Sequence, residues 1–379
     1  MSRPPRTGAP HPAERPLVLL CVNPASGRGR GAGAGAEAAA RLRSGGADVE
    51  VLAVPRAGGG VPAEGYARAL AERLAAARGA GAPTAAPDAV VVVGGDGMVH
   101  VTANVLAGTS IPLGLVPAGT GNDIARSLGC ADGDIGAAVE RVLRSLRLPP
   151  RRIDLARVEL APLPGAVPTG PEFTGDADGP GRGRVRRHVV AGVDVAFDAA
   201  VTARANRMRR PRGRARYVLA VLAELPRHRP ARLRITLEGP DGPARLAGPA
   251  FLFAVMNGRF IGGGMEVTPG SRPDDGVLEA FLVRPLPAAR FLRLFPRVFT
   301  GAHAGLPEVD IRRTRAVRIE AEPPARPAGR RAGRRSGEPP VLHGDGEPLG
   351  RLPATVTVDP GALAVLDDGG AGLAPTLEP

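Results

Sequence analysis

No lysine and no tryptophan occur in this chain; all 50 of its Lys+Arg residues are arginine, and aromatic residues make up only 3%. Without lysine there is no Walker-type loop, G-x-x-x-x-G-K-[ST], in which a lysine reaches the β- and γ-phosphates. With so few rings there is no platform for stacking bases. The net charge of +13 still calls for a polyanion. With base stacking excluded, an anionic membrane surface is a better candidate than nucleic acid. Arginine in place of every lysine is also what a compositional bias of the genome would produce, so total charge alone decides little.

Cysteine is scarce too. Cys21 and Cys130 make neither a disulfide framework nor a metal-ligand spacing, which suits a reducing compartment. The six histidines show no H-E-x-x-H pattern. No apolar run approaches the roughly 18 residues of a spanning helix. Leu17–Val22 is too short for a signal segment and runs into Asn23-Pro24 without a small-residue cleavage site. These absences predict a cytoplasmic protein, at most peripheral to the inner face of a membrane.

Glycine and proline are abundant, 53 and 41 of 379 residues. They concentrate in a few segments, which reads as loops and linkers in a chain long enough for two domains. Residues 1–15 are rich in proline and arginine and are expected to be disordered. From Leu17 strands and helices alternate: LVLLCV, then an alanine-rich helix, and later DAVVVV, PLGLV and the helix 133–146. This alternation predicts an α/β domain with a parallel sheet over 16–147. After Pro150 the period changes to two, in RRIDLARVEL and RLRITLE, with further strand candidates in AFLFAVMN, VLEAFLV, RAVRIEA, PATVTVD and ALAVLD. That predicts a β-rich sandwich over 148–370. Two Pro/Gly-rich stretches near 161–187 and 322–340 read as disordered insertions.

The strongest local signal is VVVVGGDGMVH at 90–100. A buried strand ends in Gly94, Gly95, Asp96 and Gly97, then a helix begins. At the carboxyl end of a parallel strand, glycines let the backbone approach phosphates, and the helix N-terminus attracts anions. Asp96 repels phosphate and so fits better as a Mg²⁺ ligand. The plainer alternative is a tight βα turn with Asp96 as a helix cap. The next junction, PLGLVPAGTGND, has the same character, with Thr120, Gly121, Asn122 and Asp123 in its turn. Together with VNPASGRGRG after the first strand, three such loops would converge on one edge of the sheet.

In this order and spacing, NPASGRGRG, GGDGMVH and PAGTGND resemble the soluble diacylglycerol kinase family, which includes bacterial lipid kinases and sphingosine kinases and is related in fold to NAD kinases. AGVDVAFDAAV, NGRFIGGGMEVTPGSRPDDGVLEA and GDGEPLG extend the resemblance through the second half, and PAGTGND favours lipid kinases over NAD kinases. The resemblance implies an NAD kinase/diacylglycerol kinase-like α/β domain that binds ATP, and a β-rich domain that binds the lipid. Catalysis is expected in the cleft between them. It implies Asp345 as the general base. Asn23, Gly94, Gly95, Asp96, Gly97, Met98, Thr120, Asn122 and Asp123 are implied around Mg-ATP. It also implies a structural Mg²⁺ at Arg272, Asp275 and Val277, where a simple Asp-Gly turn is the equal alternative. The missing lysine is thereby answered: backbone N–H groups and Mg²⁺ replace it.

Two residues depart from the family pattern, Met98 where threonine is usual and His100 where asparagine is common. The expected reaction is transfer of the γ-phosphate of ATP to a lipid alcohol, with diacylglycerol first. Sphingoid bases, an NAD kinase-like activity and a non-catalytic nucleotide-dependent regulator remain alternatives. The expected partners are ATP, the membrane lipid and, transiently, an anionic membrane surface; no nucleic acid is expected, and a homodimer is left open. The arginine cluster RANRMRRPRGRAR at 204–216 reads as a candidate for lipid headgroups or as a solvated basic face.

Overall fold

The computed structural model describes residues 15–24, 30–54, 63–78, 84–131, 134–161, 185–208, 210–211, 214–322 and 339–367. The chain divides into two compact units, residues 1–153 with 361–379, and residues 154–360. The N-terminal stretch 1–14, most of the loop after the first strand (25–29), and 162–184 and 323–338 of the two expected insertions lie outside the described residues.

The first unit runs β1 (Leu17–Val22), α1 (Arg30–Ser44), β2 (Asp48–Val51), α2 (Ala63–Ala75), β3 (Ala89–Gly94), α3 (Asp96–Leu106), β4 (Leu113–Pro117), α4 (Asp123–Ser127) and α5 (Ile135–Ser145). Its strands are parallel in the order β2-β1-β3-β4, and Val365 near the chain end pairs parallel with Leu113 of β4. Every residue of β3 is buried, as its continuous valine run demands of a strand covered on both faces. Val18, Leu20, Val91, Val93 and Val116 form one core with Ala38 and Leu42 of α1 and with Ala138, Val139 and Val142 of α5. The alternate residues Leu19, Cys21, Val90 and Val92 are buried as well. Cys21 is core packing and not chemistry, since burial pushes its thiol up to about 12.

The second unit runs β5 (Arg151–Ala161), β6 (Val185–Val189), β7 (Gly192–Ala196), α6 (Phe197–Arg207), α7 (Arg214–Glu224), β8 (Ala231–Gly239), β9 (Gly242–Ala250), β10 (Leu252–Met256), β11 (Phe260–Ile261), β12 (Met265–Glu266), β13 (Leu278–Val283), α8 (Ala288–Leu294), β14 (Val309–Thr314), β15 (Ala316–Ala321), β16 (Val341–Gly344) and β17 (Glu347–Val365). One antiparallel run is β14-β13-β10-β7-β16-β17, and the other joins β9-β8-β15 and β6-β5 to β17. Phe253, Val255, Val193 and Leu278 of the first run share a core with Leu233, Ile235, Val317 and Ile319 of the second. This is a sandwich, with β17 passing from one layer to the other.

The expected strands PATVTVD and ALAVLD are one strand, β17, which continues across Asp359-Pro360. Seven of the strands, β6, β7, β9, β11, β12, β14 and β16, have no counterpart among the expected strands. β9 reads GPARLAGPA, so its glycines and prolines hide it. Val185–Arg187, placed by the sequence in a disordered insertion, are the first residues of β6, where they pair with Val158–Leu160 of β5.

Candidate active site

Three loops leave the first unit's sheet at one level. Val22 is in register with Val93, and Gly94 with Pro117. The Asn23 N–H donates to the Val93 carbonyl at 3.3 Å, and the Ala118 N–H to the Gly94 carbonyl at 2.8 Å. The start of α1 lies against the end of β1, because a Cβ at Gly31 would lie 2.1 Å from the Asn23 carbonyl oxygen.

The second and third loops are packed backbone to backbone. A Cβ on Gly119 would sit 2.5 Å from Gly95 Cα and 2.6 Å from Asn122 Oδ1. Asn122 takes a left-handed conformation (φ 56°), and its Oδ1 accepts from the Gly119 N–H at 3.0 Å. Asp96 is the first residue of α3, and its Oδ1 accepts from the Ile124 N–H at 3.0 Å. The aspartate thus caps the first turn of α4 and ties the GGDG turn to the GTGND turn. Val92, Gly95, Asp96, Val116 and Asn122 line a recess here. Gly97 and Thr120 are exposed, and a Cβ at Gly97 would meet nothing within 4 Å. Met98 and His100 are buried, and the Met98 N–H is spent on the Gly95 carbonyl.

The residues present fit a Mg²⁺ ion. A Cβ at Gly121 would lie 3.0 Å from Asp96 Oδ2 and 3.6 Å from Asp123 Oδ2, so two hard carboxylate oxygens flank a residue without a side chain. Arg126 pairs with the other Asp123 oxygen at 2.9 Å.

In the second unit, Asp345 and Gly346 form the two-residue turn between β16 and β17, both with positive φ (48° and 87°), as Asp-Gly permits in such hairpins. The Asp345 carboxylate accepts from the N–H of Val190 (2.9 Å) and Ala191 (2.8 Å), with Gly192 at 3.4 Å. The carbonyls of that same tripeptide are also engaged. Asn257 Nδ2 donates to Val190 O at 2.9 Å, the N–H groups of Asn257 and Gly258 both donate to Ala191 O at 2.8 Å, and the Asp345 N–H donates to Gly192 O at 3.1 Å. Asn257 is fully buried, and its Nδ2 also reaches Asp154 O at 2.8 Å. Asp154 in turn accepts from the Gly276 N–H at 2.7 Å. Neither Asn257 nor Asp154 stands out from the sequence. The only available signal is a polar residue at a buried strand position, which must find a partner.

Asp275 sits differently from the other site residues. Its Oδ1 accepts from the Val277 N–H at 3.2 Å, and its Oδ2 pairs with Arg313 at 2.7 Å. The Arg272 side chain lies 3.6 Å from Asp274. A guanidinium therefore already neutralises the Asp275 carboxylate. Nearby, burial pushes the Glu279 carboxyl up to about 7, and the Ser271 hydroxyl donates to it. Among the described residues no cluster of three His, Cys, Asp or Glu side chains is arranged to hold a metal.

The sequence is similar to a known family. The diacylglycerol kinase catalytic domain profile matches residues 17–158, and the YegS C-terminal NAD kinase beta sandwich-like domain profile matches residues 189–367. A diacylglycerol kinase of Mycobacterium tuberculosis is 35% identical over 259 residues, 68% of this chain and 70% of that protein. The chain belongs to the diacylglycerol kinase family of lipid kinases. A diacylglycerol kinase of Bacillus subtilis is 26% identical over 208 residues, 55% of this chain and 57% of its own. A crystal structure of a diacylglycerol kinase from Bacillus anthracis superposes with a TM-score of 0.59, 18% identity, and coverage of 94% of this chain and 97% of that one; the likeness speaks for the family's fold. Both expected architectures, the parallel α/β domain and the β-rich sandwich, are those of this kinase family.

Proposed function

We propose that this kinase transfers the γ-phosphoryl group of ATP to the hydroxyl of a membrane lipid alcohol, with diacylglycerol as the acceptor and phosphatidic acid as the product. The observation that carries the reading is the pairing of two kinds of site in one chain. One is a set of side-chain-free loops, built around Gly95 and Gly119, at the carboxyl ends of parallel strands. The other is a carboxylate, Asp345, fixed by backbone N–H groups.

In this reading Asn23, Gly94, Gly95, Gly97, Thr120 and Asn122 surround the nucleotide. The N-terminus of α3, with Gly97 exposed, faces the phosphates, where the helix dipole favours anions. Asp96 and Asp123 are the residues to hold Mg²⁺, which supplies neutralisation of phosphate charge when bound. Asp345 accepts the proton of the acceptor hydroxyl as its oxygen bonds to the γ-phosphorus and the bond to ADP breaks. A loose transition state asks little basicity of that carboxylate. The positioned N–H donors orient it, and orientation is what the step needs. Arg272, Asp275 and Val277 serve as the second cation site only if Arg313 yields Asp275. The protein reaches its acceptor at the bilayer surface; among the described residues no helix is long and apolar enough to cross a membrane.

The test is Asp345→Asn with radiolabelled ATP and dispersed diacylglycerol. Asparagine keeps the turn but sets an amide against one of the N–H donors, so melting temperature and ATP affinity are read in parallel. Label should pass to lipid in the wild type and fall by about 10²–10⁴-fold in the variant with ATP binding retained. A variant above about a tenth of wild-type turnover overturns the role of Asp345.

A further inference from the structure

We propose that the helical face of the second unit, α7 with α8 and the 3-10 turn Phe295–Phe299 that follows it, docks on an anionic bilayer through exposed leucines framed by arginine. The inference rests on the reading of the acceptor as a membrane lipid.

Five large hydrophobic side chains are exposed among the described residues: Val51, Leu148, Leu219, Leu222 and Leu292. The last three belong to α7 and α8. Both helices pack on one cluster, in which Ala220 and Val221 of α7 and Phe291 of α8 meet Phe197 and Phe251. Leu219 and Leu222 are spaced i, i+3 and share the outer edge of α7, 43% and 45% exposed, while Ala220 and Val221 are buried.

The segment Ala288–Phe299, AARFLRLFPRVF, is the more unusual part. It carries Phe291, Leu292, Leu294, Phe295, Val298 and Phe299, yet none of its residues is fully buried. Three of the chain's nine phenylalanines fall here, so rings that are scarce elsewhere are spent where they stay half in solvent. Phe291, Phe295, Val298 and Phe299 give one side to the core, and Leu292 stands outside it. The segment has no acidic residue, and Arg290, Arg293 and Arg297 recur along it, all exposed. Arg290 pairs with Glu308 of the neighbouring loop.

Apolar prongs with arginines beside them, and no carboxylate within the Ala288–Phe299 segment, are the pattern of an interfacial element. The aliphatic tips enter the acyl boundary, and the guanidinium groups stay at the phosphates. A second copy of the chain is a poorer occupant, since a two-fold contact would set these arginines against themselves. The Arg204–Arg216 cluster is the rival anchor on this chain. Its Arg204 is engaged by Glu224, and Arg209, Arg212 and Gly213 lie outside the described residues.

The experiment is co-sedimentation with phosphatidylglycerol–phosphatidylcholine vesicles and with pure phosphatidylcholine vesicles. It compares wild type, the triple variant Leu219→Ser/Leu222→Ser/Leu292→Ser, and Arg207→Gln/Arg209→Gln/Arg210→Gln/Arg212→Gln. The wild type should bind the anionic vesicles in a salt-sensitive way, and the leucine variant should lose about tenfold or more in partition. It should keep its melting temperature, its ATP affinity and its turnover of a short-chain diacylglycerol dispersed in detergent. The proposal is overturned by equal partition of wild type and leucine variant, by loss confined to the arginine variant, or by a wild-type dimer that the leucine substitutions dissociate. If no phosphate reaches any lipid in detergent, the kinase reading fails, whatever the vesicles show.

Discussion

Gly119 and Gly95 leave each other no room: a Cβ on the first would lie 2.5 Å from the Cα of the second. The obstacle is backbone, which cannot swing aside as a side chain can. Gly119→Ala should therefore push the two loops apart, lower the melting temperature by several degrees and abolish ATP binding. Gly97 is the matched control, because a Cβ there meets nothing. Gly97→Ala should leave the melting temperature unchanged and raise the KM for ATP, since what it obstructs is the approach of a phosphate. Thermal melts and ATP titration of both variants decide. An unimpaired Gly97→Ala enzyme would place the phosphates elsewhere.

Asn257 acts on the candidate base through two residues that it holds and the base touches. It fixes the carbonyls of Val190 and Ala191, whose N–H groups fix Asp345. Asn257→Ala strands two buried carbonyls, those of Val190 and Asp154, at a cost of about 1–3 kcal/mol. We expect kcat to fall while the KM for ATP is unchanged, because the disturbance lies in the acceptor-side unit. Asn257→Ser, which keeps one donor, should recover part of the loss. A fall in stability with kcat untouched would reduce Asn257 to a structural residue.

Much of the first unit was legible. A run of valines can only be a strand buried on both faces, and helices follow each strand where alanine and leucine take over. The second unit was half legible, because its β9 and β16 carry little alternation and are held by neighbours in the sheet. The phosphate-type loops could be read because glycine before a helix has few purposes. Two parts of the site could not be read. That Asp96 caps α4 depends on a contact across 28 positions, and the nest around Asp345 depends on one across more than 150. Arg313 at Asp275 belongs to the same class. It is why a motif that resembles a cation site carries an ion pair in the fold.

Ala196 lies at φ 75°, ψ −117°, at the junction of β7 and α6, a region that glycine enters freely and alanine does not. Such a residue stores about 1–3 kcal/mol of strain. Glycine would relieve the strain while loosening the unfolded chain by about 0.5–1 kcal/mol. Ala196→Gly should then stabilise the protein by about 1 kcal/mol, read as a higher denaturant midpoint with the same slope. A lower midpoint would mean that the alanine methyl packs well enough to outweigh the backbone.

His343 ties stability to pH. It lies two residues before Asp345, opposite Asp194 of β7 in the sheet, only 7% exposed, and its Nδ1 has no hydrogen-bond partner among the described residues. Burial holds its imidazole down at about 4, although a backbone hydrogen bond opposes the shift. The folded state therefore keeps this ring neutral where the unfolded chain, with an ordinary value near 6.5, already binds a proton. Between those two values the unfolded state holds more protons, so stability rises with pH. It is fully present above about 6.5 and is lost as pH falls toward 4, by on the order of 3 kcal/mol for this residue. His228 and His303, also lowered by burial, act in the same direction. Denaturant midpoints taken from pH 7.5 down to about 4.5 should fall in the wild type. His343→Leu removes both the titration and the unpartnered nitrogen, so its midpoints should fall much less over the same range. A His343→Leu curve as steep as the wild type's would assign the acid loss to another group.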